Sequence, residues 1–412
     1  MRLTRFLRND AVTADEMVRQ AATGTAKRVA GRDLVVVQDT SELALGGRRA
    51  RANGYGPLGA GGALGGLRLH AALALEMGSG ALLGLVDADI WNRDQGQLAL
   101  PRRSRATADK ESQRWLDATA CASEVLATAN SITVVSDRES DIYEHFASRP
   151  SNVHLLVRAC QNRKIKTDED AGGLLFAFID GLPEAGRLNV KIPAAPGRKE
   201  RVAQLAVRFA PVELRKPRHG AARQLVEAVT LMLVDVREVS PPQDNDPVHW
   251  RLLTTHQVAS LDQARRIVDL YRMRWAIEEF FRTLKTAGFN VEAVDIGDPQ
   301  VMIKFVTAIT IAAVTVMQLV KARDGTTDQQ LTDAFEPDDQ PVLEALSVQL
   351  EGATARQKNP HPQGSLAFAT WVVARLGGWT GYYGKPGPKV IRRGLDDFRR
   401  IKYGTTLRLQ DV

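Results

Sequence analysis

The chain has 412 residues, 44% hydrophobic and 25% charged, a balance that suits a folded globular protein of two or three domains with a substantial core. A net charge of +7 admits a polyanionic partner without requiring one. Two cysteines, Cys121 and Cys160, exclude a disulfide framework and a paired-cysteine metal motif, and suit a reducing compartment.

The opening MRLTRFLRNDAVTADEM is charged throughout and holds no apolar run of the kind a signal peptide needs. Thr13, with Glu16 three positions on, reads as a capping box that opens a short helix. DLVVVQDT is a buried strand ending in Asp39, followed by a glycine-rich loop over 46–66. That loop contains GYGPLG, a literal G-x-G-x-x-G. A nucleotide loop needs a strand directly before it and a helix directly after. Pro57 lies inside this one and a strand follows it, so a dinucleotide site is rejected. LRLHAALAL and ALLGLVDADIW predict a β-hairpin turned at MGSG. Residues 108–128 read as helix, and SITVVSD is a second apolar strand ending in an acid, Asp137.

From 153 to 256 the texture changes. VHLLVRA, GRLNVKIPA, RVAQLAVRFA, LVEAVTLMLVDV and WRLLTTH are strand-like runs split by Pro, Gly and charged turns, a β-rich segment between α/β parts. Ser260 with Gln263 forms a second capping box, and the long helix it opens should stop near Gly288. FVTAITIAAVTVMQLV, over 305–320, is too short and too rich in Thr and Gln for a membrane span and reads as a buried core helix. Residues 324–366 predict a polar, acidic linker with one helix. In the tail, Lys385, Lys389, Arg392, Arg393, Arg399, Arg400, Lys402 and Arg408 stand against Asp396 and Asp397. This excess suits DNA phosphates and a solvated helix face equally.

The stretch YRMRWAIEEFFRTLK, over 271–285, lies inside the long helix. At about 100° per residue, Arg274, Glu278 and Lys285 fall at about −60°, −20° and −40° from Tyr271, one narrow stripe. Leu270, Ile277, Phe281 and Leu284 make a neighbouring apolar stripe that would face a core. One reading is a solvated charged face. The other sets a single carboxylate between phosphate-gripping cations, and Tyr271 and Trp275, costly to leave exposed, favour it. Asp39 and Asp137, each taken singly, are turn or cap residues. With Glu278 they could converge on one spot, where three carboxylates repel unless they hold divalent cations. Oxygen-only ligands select Mg²⁺ or Mn²⁺.

The spacing Y-(2)-R-(3)-E-(6)-K, met by Tyr271, Arg274, Glu278 and Lys285, resembles the signature of DDE transposases of the insertion-sequence-four family. VVVQDTSEL, VVSDRESDIYEHF, WRLLTTHQVASLDQARRIVDLY and PGPKVIRRG resemble that family as well, so the likeness runs from about Arg5 to Gly404. It implies an α/β fold, an RNase H-like core interrupted by a β-rich insertion, with a helical C-terminal region. The implied parts are a lead-in at 1–30, left from a DNA-binding region, a first core segment at 31–152 and the insertion at 153–258. A second core segment with the signature helix follows at 259–323, then helices at 324–412 that suit dimerisation.

The resemblance assigns catalysis and metal binding to Asp39, Asp137 and Glu278, separated by 98 and 141 residues. Glu139, Asp141 and Glu279 are rival acids off the motif positions. Tyr271, Arg274 and Lys285, with Trp275 beside them, are implied to meet DNA phosphates. Arg158 matches a family arginine near the DNA backbone, and Trp250 sits where relatives stack a tryptophan on an extruded base; a core role is the alternative for Trp250. The implied activity is cut-and-paste cleavage and strand transfer through a hairpin, with two Mg²⁺ ions that Mn²⁺ can replace. The implied partners are double-stranded DNA and a second copy in a synaptic complex, in the cytoplasm at the nucleoid, with no membrane. Only 38 residues precede Asp39, so the family's N-terminal DNA-binding domain is expected to be missing. The alternative is a shortened, non-catalytic regulator acting through mixed dimers, or an inactive remnant.

Overall fold

The structure, a computed structural model, describes residues 2–45, 50, 52–59, 62, 64–93, 111–166, 173–192, 200–217, 224–242 and 247–410, with side chains up to 404. Helices α1 (Arg2–Arg8) and α2 (Ala14–Ala26) come first. Thr13 Oγ1 accepts the Glu16 N–H at 3.1 Å, half of the expected capping box; the Glu16 carboxylate turns instead to Gln20 and Arg19.

Strand β1 (Asp33–Ala44) carries the first apolar run. Its alternate residues enter two cores, Val35 and Val37 one, Leu34 and Val36 the other. A strand buried on both faces belongs in the middle of a sheet. β1 continues five residues beyond Asp39, so this acid sits within the strand and not at its end. β2 (Gly56–Leu58), β3 (Leu64–Glu76) and β4 (Leu82–Trp91) follow, with β3 and β4 forming the hairpin that the sequence predicts. GYGPLG is β2 with its flanks. Gly56 is needed there because a Cβ would stand 2.0 Å from the Arg93 carbonyl oxygen.

Next come α3 (Gln113–Val125), β5 (Ser131–Ser136), α4 (Tyr143–Ala147) and β6 (Val153–Arg158). β5 runs parallel to both β1 and β6, while β3 runs antiparallel to β1. The β-rich stretch then supplies β7 (Lys164–Ile165), β8 (Gly173–Leu174), helix α5 (Leu175–Asp180), β9 (Gly186–Ile192), β10 (Arg201–Arg215), β11 (Ala228–Glu238) and β12 (His249–Thr254). One twelve-stranded sheet results, in the order β2-β3-β1-β5-β6-β12-β11-β10-β7-β8, with β4 on β3 and β9 on β10. β12 pairs antiparallel with β6, so the later strands extend the first sheet.

The long helix expected from Ser260 is broken into α6 (Leu261–Arg272), α7 (Trp275–Arg282) and a π-helical turn at Thr283–Ala287 that ends at Gly288. Ser260 Oγ accepts the Gln263 N–H at 3.3 Å, and Gln263 reaches back to the Ala259 N–H. Between α6 and α7 the amides of Met273, Arg274, Ala276 and Ile277 each bond three residues back. That pattern turns about 120° per residue instead of 100° and redirects the axis.

α8 (Pro299–Ala322), α9 (Gln340–Leu350), α10 (Leu366–Leu376) and α11 (Pro388–Gln410) complete the chain. α8 is long and apolar enough to cross a membrane by length and composition alone, but α2, β4, α10 and α11 pack on it. Its last turns join Phe368, Val372, Ile391 and Leu395 in a third core. Residues of α6, α7 and α8 cover the sheet face of Val35 and Val37, and those of α3, α4 and α5 cover the face of Leu34 and Val36.

Candidate active site

Side chains alternate along a strand, so Asp39 shares the face of Val35 and Val37, beneath α7, while Gln38 and Thr40 point to the opposite face. Val37 stands opposite Val135 in the parallel β1–β5 pair. Two residues further along each chain, Asp39 and Asp137 therefore come together at the same level, Asp137 immediately past the end of β5. β6, the next parallel strand, ends in Arg158 on the same side.

α7 brings the remaining groups. Arg274 Nη2 donates to Glu278 Oε1 at 2.5 Å, Nη1 donates to Asp39 Oδ2 at 3.2 Å, and Nη2 lies 4.0 Å from Asp137 Oδ2. One guanidinium, only 8% exposed, thus binds all three acids named from the sequence. Tyr271 donates its hydroxyl to Asp137 Oδ1 at 3.2 Å, and Arg158 Nη1 lies 3.9 Å from the same oxygen. Arg158 is held in turn by the His249 carbonyl, to which Nη2 donates at 3.1 Å. Trp250 packs against the Tyr271 ring at 5.3 Å, which accounts for its partial burial.

Burial pushes the Asp39 carboxyl up to about 6, against the Thr40 N–H and Arg274, which favour its ionised form, and with help from the negative charge of Asp137 and Glu139. Burial also pushes the Tyr271 phenol up to about 12, and Asp137 adds to the rise. Tyr271 is thus a neutral donor across the working range of pH. For Arg274 burial works against the charge, but Tyr271, Asp137, Glu278 and Asp39 outweigh it and hold the guanidinium above its ordinary value.

The sequence predicts a cation held by three carboxylates. Among the described residues, no three His, Cys, Asp or Glu side chains stand together so as to hold a metal ion. Arg274 supplies the positive charge between the acids instead. The donors still fit a hard divalent cation, because every one is a carboxylate oxygen and the half-buried Asp39 carboxyl is incompletely compensated.

Lys285 falls in the π-helical turn and pairs with Glu292 at 3.8 Å, away from the three acids; Glu292 accepts the Ala44 N–H at the far end of β1. The wide turn accounts for this, since the 100° spacing no longer applies past Thr283. Trp275 stays 37% exposed at the start of α7. Two of the three rival acids are engaged elsewhere, while Glu139 is exposed in the turn after β5 and acts on Asp39 through its charge. Asp141 is buried and accepts from the Cys160 and Gln161 amides at 2.8 and 2.7 Å and from Arg163. Glu279 lies 3.7 Å from Lys321. In the tail, Arg392 donates to the Gly288 carbonyl at 2.7 Å, and Lys385 and Lys402 pair with Asp324 and Asp339. The Arg408 side chain lies outside the described residues.

Residues 116–314 match the family model of the transposase DDE domain. The match supports a DDE transposase. It spans Asp137, Glu278 and the whole Tyr271–Arg274–Lys285 signature, and it begins after Asp39. The β1–β5 pairing and its bond to Arg274 bring Asp39 beside Asp137 and Glu278. Gln38, Thr40 and His145 lie directly behind this site inside the segments VVVQDTSEL and VVSDRESDIYEHF, where nothing singles them out, and His70 and Thr119, also behind it, carry no sequence signal. All five are single polar residues on four separate elements.

Proposed function

We propose that this chain is the catalytic core of a cut-and-paste transposase of the insertion-sequence-four type. It would nick DNA at an element's ends, release them through a hairpin and join them to target DNA. The observation that carries the reading is the convergence of Asp39, Asp137 and Glu278 on Arg274, from two adjacent parallel strands and one helix. The strand order β4-β3-β1-β5-β6, antiparallel on one side of β1 and parallel on the other, supports an RNase H-like core.

Asp39, Asp137 and Glu278 would hold the divalent cations, Mg²⁺ or in its place Mn²⁺. When bound, these supply an activated water or 3′-hydroxyl and stabilise the leaving oxygen. Tyr271 fixes the rotation of the Asp137 carboxylate through its hydroxyl, and Arg158 draws on the same oxygen. Arg274 neutralises the acids in the structure at hand, so cations taken up by the acids would free its guanidinium for a DNA phosphate. Trp250, on Tyr271, presents an aromatic surface beside the acids that suits an unstacked base.

The test is cleavage of a duplex carrying the element's own ends, with and without Mg²⁺. Asp39→Ala, Asp137→Ala and Glu278→Ala should each abolish metal-dependent cleavage. Unchanged cleavage in all three would end the proposal.

A further inference from the structure

On the sheet face opposite the acids, a chain of buried polar side chains runs from one side of Asp39 to the turn that follows Asp137. Thr40 Oγ1 meets His70 Nδ1 at 2.8 Å, and His70 Nε2 meets Gln38 Oε1 at 3.2 Å. Gln38 Nε2 donates to Thr119 Oγ1 at 3.2 Å, and Thr119 Oγ1 meets His145 Nε2 at 2.8 Å. His145 Nδ1 lies 3.4 Å from the Ser140 carbonyl. Gln38, His70, Thr119, His145 and Ser140 are all at most 1% exposed.

The donor and acceptor inventory gives the run from Thr40 to Thr119 one direction. Gln38 Nε2 also faces the Trp115 carbonyl at 3.4 Å, which can only accept, so the Gln38 nitrogen and oxygen are assigned unambiguously. The Gln38 oxygen then needs a proton from His70 Nε2, which leaves His70 Nδ1 to accept from the Thr40 hydroxyl. At the other end His145 Nδ1 faces the Ser140 carbonyl, which also accepts the Ile142 N–H at 2.7 Å, and the Thr119 hydroxyl, with one proton, faces both His145 Nε2 and the Trp115 carbonyl at 2.8 Å. Thr40, His70 and Gln38 therefore each donate to the next member as far as Thr119, and His145 links Thr119 to Ser140. The Trp115 ring closes the site by lying edge-on to His70 at 4.7 Å.

Both ends of the chain touch the backbone that carries the acids. The Thr40 N–H donates to Asp39 Oδ1 at 2.8 Å. Ser140 donates to the Asp137 carbonyl with its N–H at 3.1 Å and with its hydroxyl at 3.2 Å. The isolated polar groups of a core need only be satisfied in pairs, whereas this run links β1, β3, α3 and the turn after β5 in series.

Resting on the metal-dependent reading above, we infer that Gln38, His70, Thr119 and His145 are positioning residues that set the Asp39 and Asp137 carboxylates relative to one another for cation binding. None touches the acids or would touch DNA.

Thr119→Val breaks the chain at its middle with little change of shape, and Thr119→Ser restores the hydroxyl. Mn²⁺ alone is the probe, titrated into the full chain by electron paramagnetic resonance well below the melting transition, with Asp39→Asn as control. The expected result is Mn²⁺ affinity about 10-fold weaker in Thr119→Val and close to wild type in Thr119→Ser. Wild-type affinity in Thr119→Val, with loss in Asp39→Asn, would overturn this inference and leave the metal reading standing. Equal weakening in Thr119→Val and Thr119→Ser would also overturn it, by tracing the effect to packing. Wild-type affinity in Asp39→Asn would overturn the metal reading and this inference with it. If Thr119→Val does not fold, Gln38→Met, which cuts the chain from β1, is held to the same comparison.

Discussion

The Tyr271 hydroxyl donates to Asp137 Oδ1 at 3.2 Å, joining the end of α6 to the end of β5 across the floor of the site. Burial raises this phenol to about 12, so the hydroxyl keeps its proton and donates at neutral pH. It is a neutral donor on a charged acceptor, worth ~1.5 kcal/mol or more.

Tyr271→Phe removes that donor and leaves the ring, with its packing on Trp250, in place. The cleavage rate should fall about 10-fold, with little change in melting temperature. Single-turnover kinetics beside a thermal melt would check it. A large drop in melting temperature at an unchanged rate would show the hydroxyl to be structural only.

Arg274→Ala leaves Asp39, Asp137 and Glu278 facing one another without their shared cation. The guanidinium is buried but the acids are 23% to 43% exposed, so its loss should cost less than the ~3–5 kcal/mol of a fully buried cluster. The variant should still melt below wild type at neutral pH. Divalent cations should raise its melting temperature more than they raise that of wild type, since they replace the missing charge. Differential scanning fluorimetry with and without Mg²⁺ reads both effects.

His70 and His145 are fully enclosed, and burial drives their imidazoles down to about 3 and about 4 from an ordinary 6.5. Both stay neutral in the fold, while the unfolded chain takes up protons near 6.5. The stability they contribute is complete above that value and drains away as pH falls from 6.5 toward 4. Each group accounts for about 1.4 kcal/mol per pH unit in that window. Urea midpoints at pH 7 and pH 5 should differ accordingly, and replacing either histidine by Gln should flatten the slope.

Gly394 lies where α11 crosses α10. A Cβ there would stand 1.8 Å from the Val373 carbonyl oxygen, and one on Gly377 would stand 2.1 Å from that of Val390. The obstruction is backbone on both sides, so no side-chain adjustment relieves it. Gly394→Ala should cost ~2–3 kcal/mol and loosen the third core around Phe398 and Leu395. A wild-type melting curve for this variant would contradict the tight crossing.

How far the site could be read in advance depended on whether its information was local. The burial of β1 and β5 is visible in the continuous apolar runs of VVVQD and ITVVSD, and with it the prospect of two acids on neighbouring strands. Glu278 was visible as one position in a four-residue spacing, and the Arg274–Glu278 pair holds because i and i+4 stay together within α7. Lys285 leaves the stripe that 100° spacing predicts because it lies in a π-helical turn, where it pairs with Glu292. The end of β1 was also misjudged, since pairing with β3 carries the strand on to Ala44.

By itself, the sequence determined where the main strand and helix segments lie and which acids, Asp39, Asp137 and Glu278, were candidates. Those properties depend on residues a few positions apart. Only the tertiary structure decided that Arg274 binds all three acids, that Asp141 is a buried acceptor of Arg163, and that His70 and His145 lie in line behind the sheet. Those contacts join residues that strand register and helix docking bring together from far along the chain. No short-range periodicity encodes them.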